Sequence, residues 1–302
     1  MTPKQNHRRI GGTSSKKPKT ASRTAKRRPS AIEDPELPES GSVGDTSRLS
    51  SKNLPYPRII SDLQLPEITK DSMWTRADIQ VNLHLAAVYS TGVVQDASGR
   101  EVRFKDTTNP VQGRHLYNCV VENGYTHSLE IGLAMGASAA WLCQAHVDIG
   151  GAHGRHVAID PNQKTQYANI GRELVRQCGL ADVLEVIEAP SYRALPTLFS
   201  DVLAGRRPRF DLIYIDGWHT FDYTLVDFFY ADLLLEVNGM VVLDDIKHPP
   251  VKKLLAYVVK NYPHYRLVPR TPCFGRAPAL SSQATFIKIR EDSRAWNHHA
   301  EF

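Results

Sequence analysis

The chain has 302 residues, of which 41% are hydrophobic and 23% charged, an ordinary balance for a globular protein. No apolar run approaches the roughly 20 residues needed to span a bilayer. The four cysteines, Cys119, Cys143, Cys178 and Cys273, form no CxxC pair, which argues against a disulfide framework or a zinc site. We therefore expect a cytoplasmic protein that does not associate with membranes.

The net charge of +5 is concentrated at one end of the chain. Residues 1–30 contain ten Lys and Arg and no acidic residue, which leaves 27 basic and 32 acidic residues elsewhere. Residues 1–50 also have almost no large apolar side chains, so we predict a disordered basic tail. The tail is either a solvated segment or a docking arm for an anionic surface. The remainder is mildly acidic, and nucleic acid is not an expected partner.

Residues 51–114 are predicted to be an extended lead-in and N-terminal cap to a domain at 115–302. The stretch "NPVQGRHLYNCVVENG" predicts a helix with Leu116, Cys119 and Val120 on one face and Gly124 at its end.

After this helix, short apolar runs alternate with helical segments. The predicted strands cover 128–132, 156–161, 184–189, 211–216 and 239–245. The predicted helices cover 137–147, 163–178, 191–204, 221–235 and 250–261. Strands rich in Val, Ile and Leu and separated by helices are typical of an α/β fold with a mostly parallel sheet. The last two strands, "YRLVPR" and "ATFIKIR", leave no room for a helix between them, so the final strand is expected to be antiparallel.

Acidic side chains stand at the carboxyl end of every predicted parallel strand. They are Glu130, Asp160, Glu188, Asp216 and the pair Asp244–Asp245. Because ligands of such sheets bind outside the carboxyl ends of the strands, we expect these acids to share one rim of the sheet.

A glycine turn joins the first predicted strand to its helix in "LEIGLAMGASAAWL". Small residues allow backbone amides to approach a ligand, although a tight turn alone would also explain Gly132 and Gly136. The dinucleotide fingerprint GxGxxG is absent, which disfavours an NAD-dependent oxidoreductase. With Asp160 ending the next strand, the arrangement resembles the class I S-adenosylmethionine-dependent methyltransferases.

That resemblance implies a doubly wound, Rossmann-like, seven-stranded sheet and a site for S-adenosylmethionine. The methionine part would contact Glu130, Gly132, Gly136 and Ser138; the ribose would contact Asp160; the adenine would contact Ser191 and Trp218.

The motifs Asp216-Gly217-Trp218-His219 and Asp244-Asp245 resemble those of the metal-dependent O-methyltransferases of the catechol type. Here His219 replaces a lysine and Asp245 replaces an asparagine, which brings the chain closer to macrolide sugar O-methyltransferases and the methyltransferase-24-like group. The resemblance implies that Asp216, Asp244 and Asp245 bind Mg²⁺ or another divalent cation, with His219 and Asp216 as catalytic residues. Two simpler interpretations stay open: strand-end caps without a metal, and a turn histidine bonded to the backbone.

The expected function is metal-assisted O-methylation of a hydroxylated small molecule or sugar. Alternatives are a nucleic-acid or protein methyltransferase docked by the basic tail, and a cofactor-binding protein without catalysis. The aromatic run at 228–230 fits either core packing or a homo-oligomer face.

Overall fold

The computed structural model describes residues 82–105, 107–150, 155–268 and 282–302. The predicted basic tail, most of the lead-in, Cys273 and most of the loop "PRTPCFGRAPALSS" lie outside these ranges. Within them, no helix is long and apolar enough to cross a membrane. Cys119, Cys143 and Cys178 are buried free thiols, as predicted.

A seven-stranded sheet forms the centre of the molecule. Its strands are β3 (His127–Ile131), β4 (Arg155–Ile159), β5 (Leu184–Ile187), β6 (Phe210–Ile215), β7 (Leu235–Leu243), β8 (Tyr265–Leu267) and β9 (Ala284–Lys288), in the order β5-β4-β3-β6-β7-β9-β8. Strand β9 runs antiparallel to β7 and to β8, and the pairs from β5 to β7 are parallel. The predicted mostly parallel sheet with an antiparallel last strand is confirmed.

Helices cover both faces of the sheet. They are α1 (Leu83–Thr91), α2 (Pro110–Asn123), α3 (Ala137–Asp148), α4 (Ile170–Gln177), α5 (Ser191–Leu203), α6 (Phe221–Leu234) and α7 (Pro249–Asn261). Successive side chains along each strand pack alternately into two hydrophobic cores, one on each face of the sheet. In β6, Leu212 and Tyr214 pack with the buried residues of α1–α4, whereas Ile213 and Ile215 pack with those of α5–α7. Each fully buried aliphatic side chain contributes about 2 kcal/mol to folding.

Helix α2 forms as its sequence predicts. The Asn109 side chain accepts hydrogen bonds from the backbone amides of Val111 and Gln112, and Gln112 reaches back to complete a capping box. Gly124 ends the helix in the left-handed conformation, with φ of 63°. The predicted apolar face is buried in the core.

Two element boundaries differ from the prediction, and one region of the structure had no predicted assignment. Helix α4 begins at Ile170 instead of 163, because residues 161–169 form turns and Asn169 adopts a left-handed φ of 60°. Strand β7 begins at Leu235 instead of 239, because α6 passes directly into it. Helix α1 and a hairpin of β1 (Val93–Gln95) and β2 (Glu101–Arg103) had no predicted assignment.

The strand order changes direction at β3. Strands β4 and β5 extend the sheet on one side of β3, and β6 and β7 extend it on the other. A crevice is therefore expected outside the carboxyl ends of β3 and β6, which is where parallel α/β sheets bind ligands.

Candidate functional site

The crevice begins at the glycine turn after β3. Gly132 has a φ of 101°, and a Cβ atom there would lie 2.1 Å from the carbonyl oxygen of Asp216. A glycine is therefore required for the ends of β3 and β6 to approach each other. This close contact places the backbone of the turn directly beside Asp216.

Gly136 serves a different purpose in the same turn. It begins α3 with a φ of 82°, and a Cβ atom would lie 2.5 Å from the carbonyl oxygen of Gly171 in α4. The two glycines allow α3 and α4 to pack backbone against backbone. Gly136 therefore has a sufficient structural reason for being glycine, and it is not among the residues that line the cavity beside the turn.

Asp160, directly after β4, braces the glycine turn. Its Oδ2 accepts hydrogen bonds from the amide of Ala134 (2.8 Å) and from Nε2 of Gln163 (3.1 Å). Its Oδ1 accepts from the amide of Asn162 at 2.7 Å. A carboxylate has about four acceptor positions, so one remains for a ligand.

A cavity of about 430 Å³ lies between these elements. Its lining includes Gly132, Asp160, Ser191, Asp216 and Trp218. Three further aromatic side chains, not predicted from the sequence, complete it: Tyr167, Tyr192 and Tyr223. Trp218 is 65% exposed, which is unusual for so large an apolar side chain and leaves its ring free to cover a ligand.

A second, much smaller cavity of about 20 Å³ adjoins the first at the glycine turn. Ser138 and Thr108 line it together with Gly132 and Asp216, which also line the larger cavity. Four predicted cofactor contacts, Gly132, Ser138, Asp160 and Ser191, thus lie on one continuous surface with Trp218.

The predicted metal-binding and catalytic residues lie at the ends of β6 and β7. His219 Nε2 is 3.2 Å from Asp245 Oδ2 and 3.6 Å from Asp216 Oδ1. Ligand atoms of these three side chains all lie within 4.8 Å of one another. The ring of His248 stacks on that of His219 at 5.4 Å and 8°, so a second imidazole flanks the group.

Asp244, the adjacent predicted ligand, has different surroundings. It is 4% exposed and accepts hydrogen bonds from Nε2 of Gln112 (3.0 and 3.1 Å) and of Gln283 (3.0 Å). The hydroxyl of Tyr214 also donates to it, and so does the amide of Asp245, at 2.7 Å. Neutral donors therefore satisfy Asp244, which lies outside the group formed by Asp216, His219 and Asp245.

Burial and the neighbouring carboxylates change how Asp216 titrates. Burial, with the nearby charges of Asp244 and Asp245, raises the pKa of Asp216 to about 7, an effect that His219 partly opposes. The Asp216 carboxylate in turn raises the pKa of His219. Crowded like charges of this kind favour a cation at their centre.

Comparison with known proteins agrees with this geometry. Residues 129–246 match the Methyltransf_24 family model, described as "Methyltransferase domain". O-methyltransferase imqG of Aspergillus flavus is 29% identical over 121 residues, which are 38% of this chain and 46% of that protein. A catechol O-methyltransferase of Mycobacterium tuberculosis is 36% identical over 118 residues, 39% of this chain and 47% of that protein. The chain spans about half the length of these curated relatives.

A solved structure, cofactor-bound Rv0187 from MTB, shares the fold. It superposes with a TM-score of 0.53 at 19% identity, covering 80% of this chain and all of that one. Residues 129–246 are therefore similar to a methyltransferase domain. Both the predicted family and the predicted fold class are confirmed.

Glu130 was predicted to contact the cofactor, but it does not line either cavity. In the methyltransferase domain its side chain is fully buried under the sheet, 3.4 Å from His156 Nε2, and it lines neither of the cavities at the glycine turn. Position 130 faces the core of α1–α4 because its neighbours Leu129 and Ile131 face the other core. Its contact with a cofactor stays a prediction.

A second His–Asp group lies beside the last turn of α6, the start of β8 and the segment after β9. Asp232, His264 and Asp292 are close enough to hold an ion, but two side chains already supply positive charge there. Lys288 Nζ is 3.6 Å from Asp232, and Arg294 is 2.6 Å from Asp292. This group is a balanced ionic network.

The residues that hold Asp244 were not predicted from the sequence. Tyr214 sits in the strand that carries Asp216, and the alternation of that strand could have placed it on the α2 face. Gln112 shows a helix-capping pattern, but nothing in its local sequence indicates a partner 132 residues away. The same is true of Gln283, in the approach to β9.

Proposed function

We propose that the chain is an S-adenosylmethionine-dependent O-methyltransferase that acts, with help from a divalent cation, on a hydroxylated small molecule or sugar. The observation that carries the proposal is that Asp216 borders both the cofactor-sized cavity and the Asp216–His219–Asp245 group. A methyl donor and a metal-bound acceptor would therefore meet at one point. The names of the two curated O-methyltransferase relatives support this type of reaction.

The larger cavity would hold the nucleoside of S-adenosylmethionine. Asp160 has one acceptor position left for the ribose hydroxyls, and Trp218 and Ser191 lie where the adenine would sit. Ser138 and Thr108 would contact the end of the methionine part beside the turn of Gly132, where the smaller cavity itself has room for only about one water molecule. The start of α3 favours a negative group there, such as the methionine carboxylate.

The Asp216–His219–Asp245 group fits a divalent cation. Nε2 of His219 is buried and has no hydrogen-bond partner among the described residues, although two carboxylates stand near it. Carboxylate oxygens suit Mg²⁺ or Mn²⁺, and the imidazole of His219 would stay outside the ligand set, free to act as a base. Asp216 and Asp245 would hold the ion, and Asp244 would join them after exchanging one of its amide donors. A bound cation would lower the pKa of a substrate hydroxyl.

His219 is placed to accept the proton of that hydroxyl. The pKa of an ordinary imidazole is close to neutrality, and interaction with Asp216 raises that of His219 and makes it a stronger base. His248, stacked against it, limits the rotation of its ring. The chain then contributes chiefly by holding acceptor oxygen and methyl group in line.

A methyl-transfer assay on the full chain tests this proposal. With labelled S-adenosylmethionine, Mg²⁺ and a panel of vicinal diols, including catechol and sugars, we expect transfer that chelation by EDTA abolishes. His219→Ala and Asp216→Asn should each reduce the rate by roughly 100-fold or more, as expected for loss of a general base or of a metal ligand. His298→Ala, at an exposed histidine of the C-terminal segment, is the matched control. Undiminished transfer by both site variants would contradict the proposal.

A further inference from the structure

One buried carboxylate next to the cavity has no partner. Asp227, on α6, is 1% exposed, and neither of its side-chain oxygens has a hydrogen-bond partner in the described part of the chain. An ionised carboxylate in such a place is costly, and most buried polar groups are satisfied. Asp227 therefore calls for an explanation that core packing does not supply.

Asp227 lies directly behind the wall of the larger cavity. A Cβ atom built on Gly217 would be 3.5 Å from Asp227 Oδ2, so only the bare backbone of Gly217 separates the carboxylate from the cavity at that point. Ser191, the first residue of α5, also lines the cavity; its hydroxyl lies near enough to lower the pKa of Asp227, although no well-formed hydrogen bond joins the two side chains. Burial raises the pKa of Asp227 to about 6, and the nearby Ser191 hydroxyl partly opposes this rise.

The chemistry of this corner favours a ligand that brings N–H donors. A carboxylate only accepts hydrogen bonds, and a serine hydroxyl can donate to it while accepting a bond from elsewhere. A ligand amine at the cavity wall would bond to the Ser191 oxygen, whose proton would then point to Asp227. A ligand carbonyl in the same place would turn that hydroxyl away and leave the carboxylate without any partner.

We propose that Asp227 is a positioning residue that, through the Ser191 hydroxyl, selects a 6-aminopurine over a 6-oxopurine at this end of the cavity. The inference rests on the proposed function, because it takes the nucleoside of the methyl donor as the ligand. It adds a residue on α6 that does not itself line the cavity.

A competing explanation is purely structural. The N-terminus of α5 has no side-chain cap, and a carboxylate near it would stabilise the helix dipole. A structural role of this kind would change stability but would not change the preference between two purines. The choice of base therefore separates the two explanations.

The experiment compares two ligands by calorimetry at pH 8, S-adenosylhomocysteine and its deaminated analogue S-inosylhomocysteine. We expect the full wild-type chain to bind the adenine form at least about 10-fold more tightly, because a site built for a donor rejects a ligand lacking it. Asp227→Asn should reduce that ratio to near one, because the new amide can donate to the Ser191 oxygen and leave the hydroxyl proton free to bond to a 6-oxo group. Asp222→Asn, at an exposed position on the same helix, should keep the wild-type ratio.

Ser191→Ala gives a second route to the same test if Asp227→Asn does not fold, since removal of the relay should also remove the preference. A wild-type chain that binds S-adenosylhomocysteine, with variants that retain the wild-type ratio, would overturn the inference and leave the proposed function intact. Failure of the wild-type chain to bind S-adenosylhomocysteine would overturn the proposed function and this inference with it.

Discussion

Asp244 and Asp245 are adjacent in the chain, yet their surroundings give them different tasks. Asp244 is enclosed by donors from α2, β6 and the approach to β9, so it ties three elements together. Asp245 adopts a left-handed φ of 53°, which turns its side chain toward His219. A strained backbone of this kind is more common at functional sites than elsewhere.

This difference predicts opposite effects of the same substitution. Asp245→Asn should weaken Mn²⁺ binding by about 10-fold or more and change stability little, because a partly exposed metal ligand loses its charge. Asp244→Asn should lower the free energy of unfolding by roughly 2–4 kcal/mol, because the new NH₂ group would face hydrogen-bond donors in a buried site. Denaturant titration and Mn²⁺ calorimetry on both variants measure the two effects. The assignment fails if Asp245→Asn is the less stable variant and Asp244→Asn the weaker binder.

Asp227 gives a pH-dependent prediction. Its pKa is raised from 3.8 to about 6 in the folded chain, so ionisation costs stability above that pH and costs nothing well below the unfolded value. The wild-type chain should lose up to about 3 kcal/mol from this group as the pH rises from 4 to 8. Asp227→Asn should remove this pH dependence, because an amide does not titrate in this range.

Melting the wild-type chain and Asp227→Asn side by side between pH 4 and pH 8 checks this. The stability of the variant relative to wild type should rise through pH 6 and level off by pH 8. A difference that does not vary with pH would show that the pKa of Asp227 is the same in the folded and the unfolded chain. A variant that is more stable yet less selective for adenine would identify Asp227 as a residue kept for function.

At the scale of elements, the glycine turn explains both what the sequence predicts and what it does not. The order strand, glycine turn, helix and strand-end acid was enough to place Gly132, Ser138 and Asp160 together. It did not show that Gly136 contacts Gly171, because contact between two helices depends on their packing and leaves no local pattern. It also did not give the start of α4, which follows from turns at 161–169.

The contact between α3 and α4 predicts a large effect of a small change. Gly136→Ala should lower the free energy of unfolding by several kcal/mol, because the new methyl group would overlap the backbone of Gly171 and occupy a left-handed φ. Gly124→Ala is the matched control, since Gly124 also has a positive φ but faces open space. Its cost should be about 1 kcal/mol. Equal losses in denaturant titration would mean that α3 and α4 do not pack as closely as described.

At the scale of the whole molecule, the sheet order determines what the site can be. The pattern of apolar residues was sufficient to predict the parallel strands, because strands that are buried on both faces are continuous runs of Val, Ile and Leu. It was also sufficient for α2, whose cap and terminal glycine agree with its apolar face. The hairpin of β1 and β2 was not predicted, because its strands are three residues each and half exposed.

The sequence could predict those residues of the candidate site that stand at the ends of strands. Asp160, Asp216 and Asp245 border the crevice because each directly follows a parallel strand or lies one residue beyond it. Glu130 belongs to a strand interior, and alternation turns it into the core. The donors to Asp244 come from positions far apart in the chain, so only the folded structure brings them together.

We propose that the cavity beside Asp160 and Gly132 binds S-adenosylmethionine, and calorimetric titration of the full chain is the decisive test. We predict saturable one-to-one binding to the wild-type chain and a loss of roughly 10- to 100-fold in affinity for Asp160→Asn, the usual cost of a charge-assisted hydrogen bond. Asp182→Asn, at an exposed position, should bind like wild type. A folded wild-type chain that takes up no S-adenosylmethionine, or an Asp160→Asn variant that binds it equally well, would contradict the account.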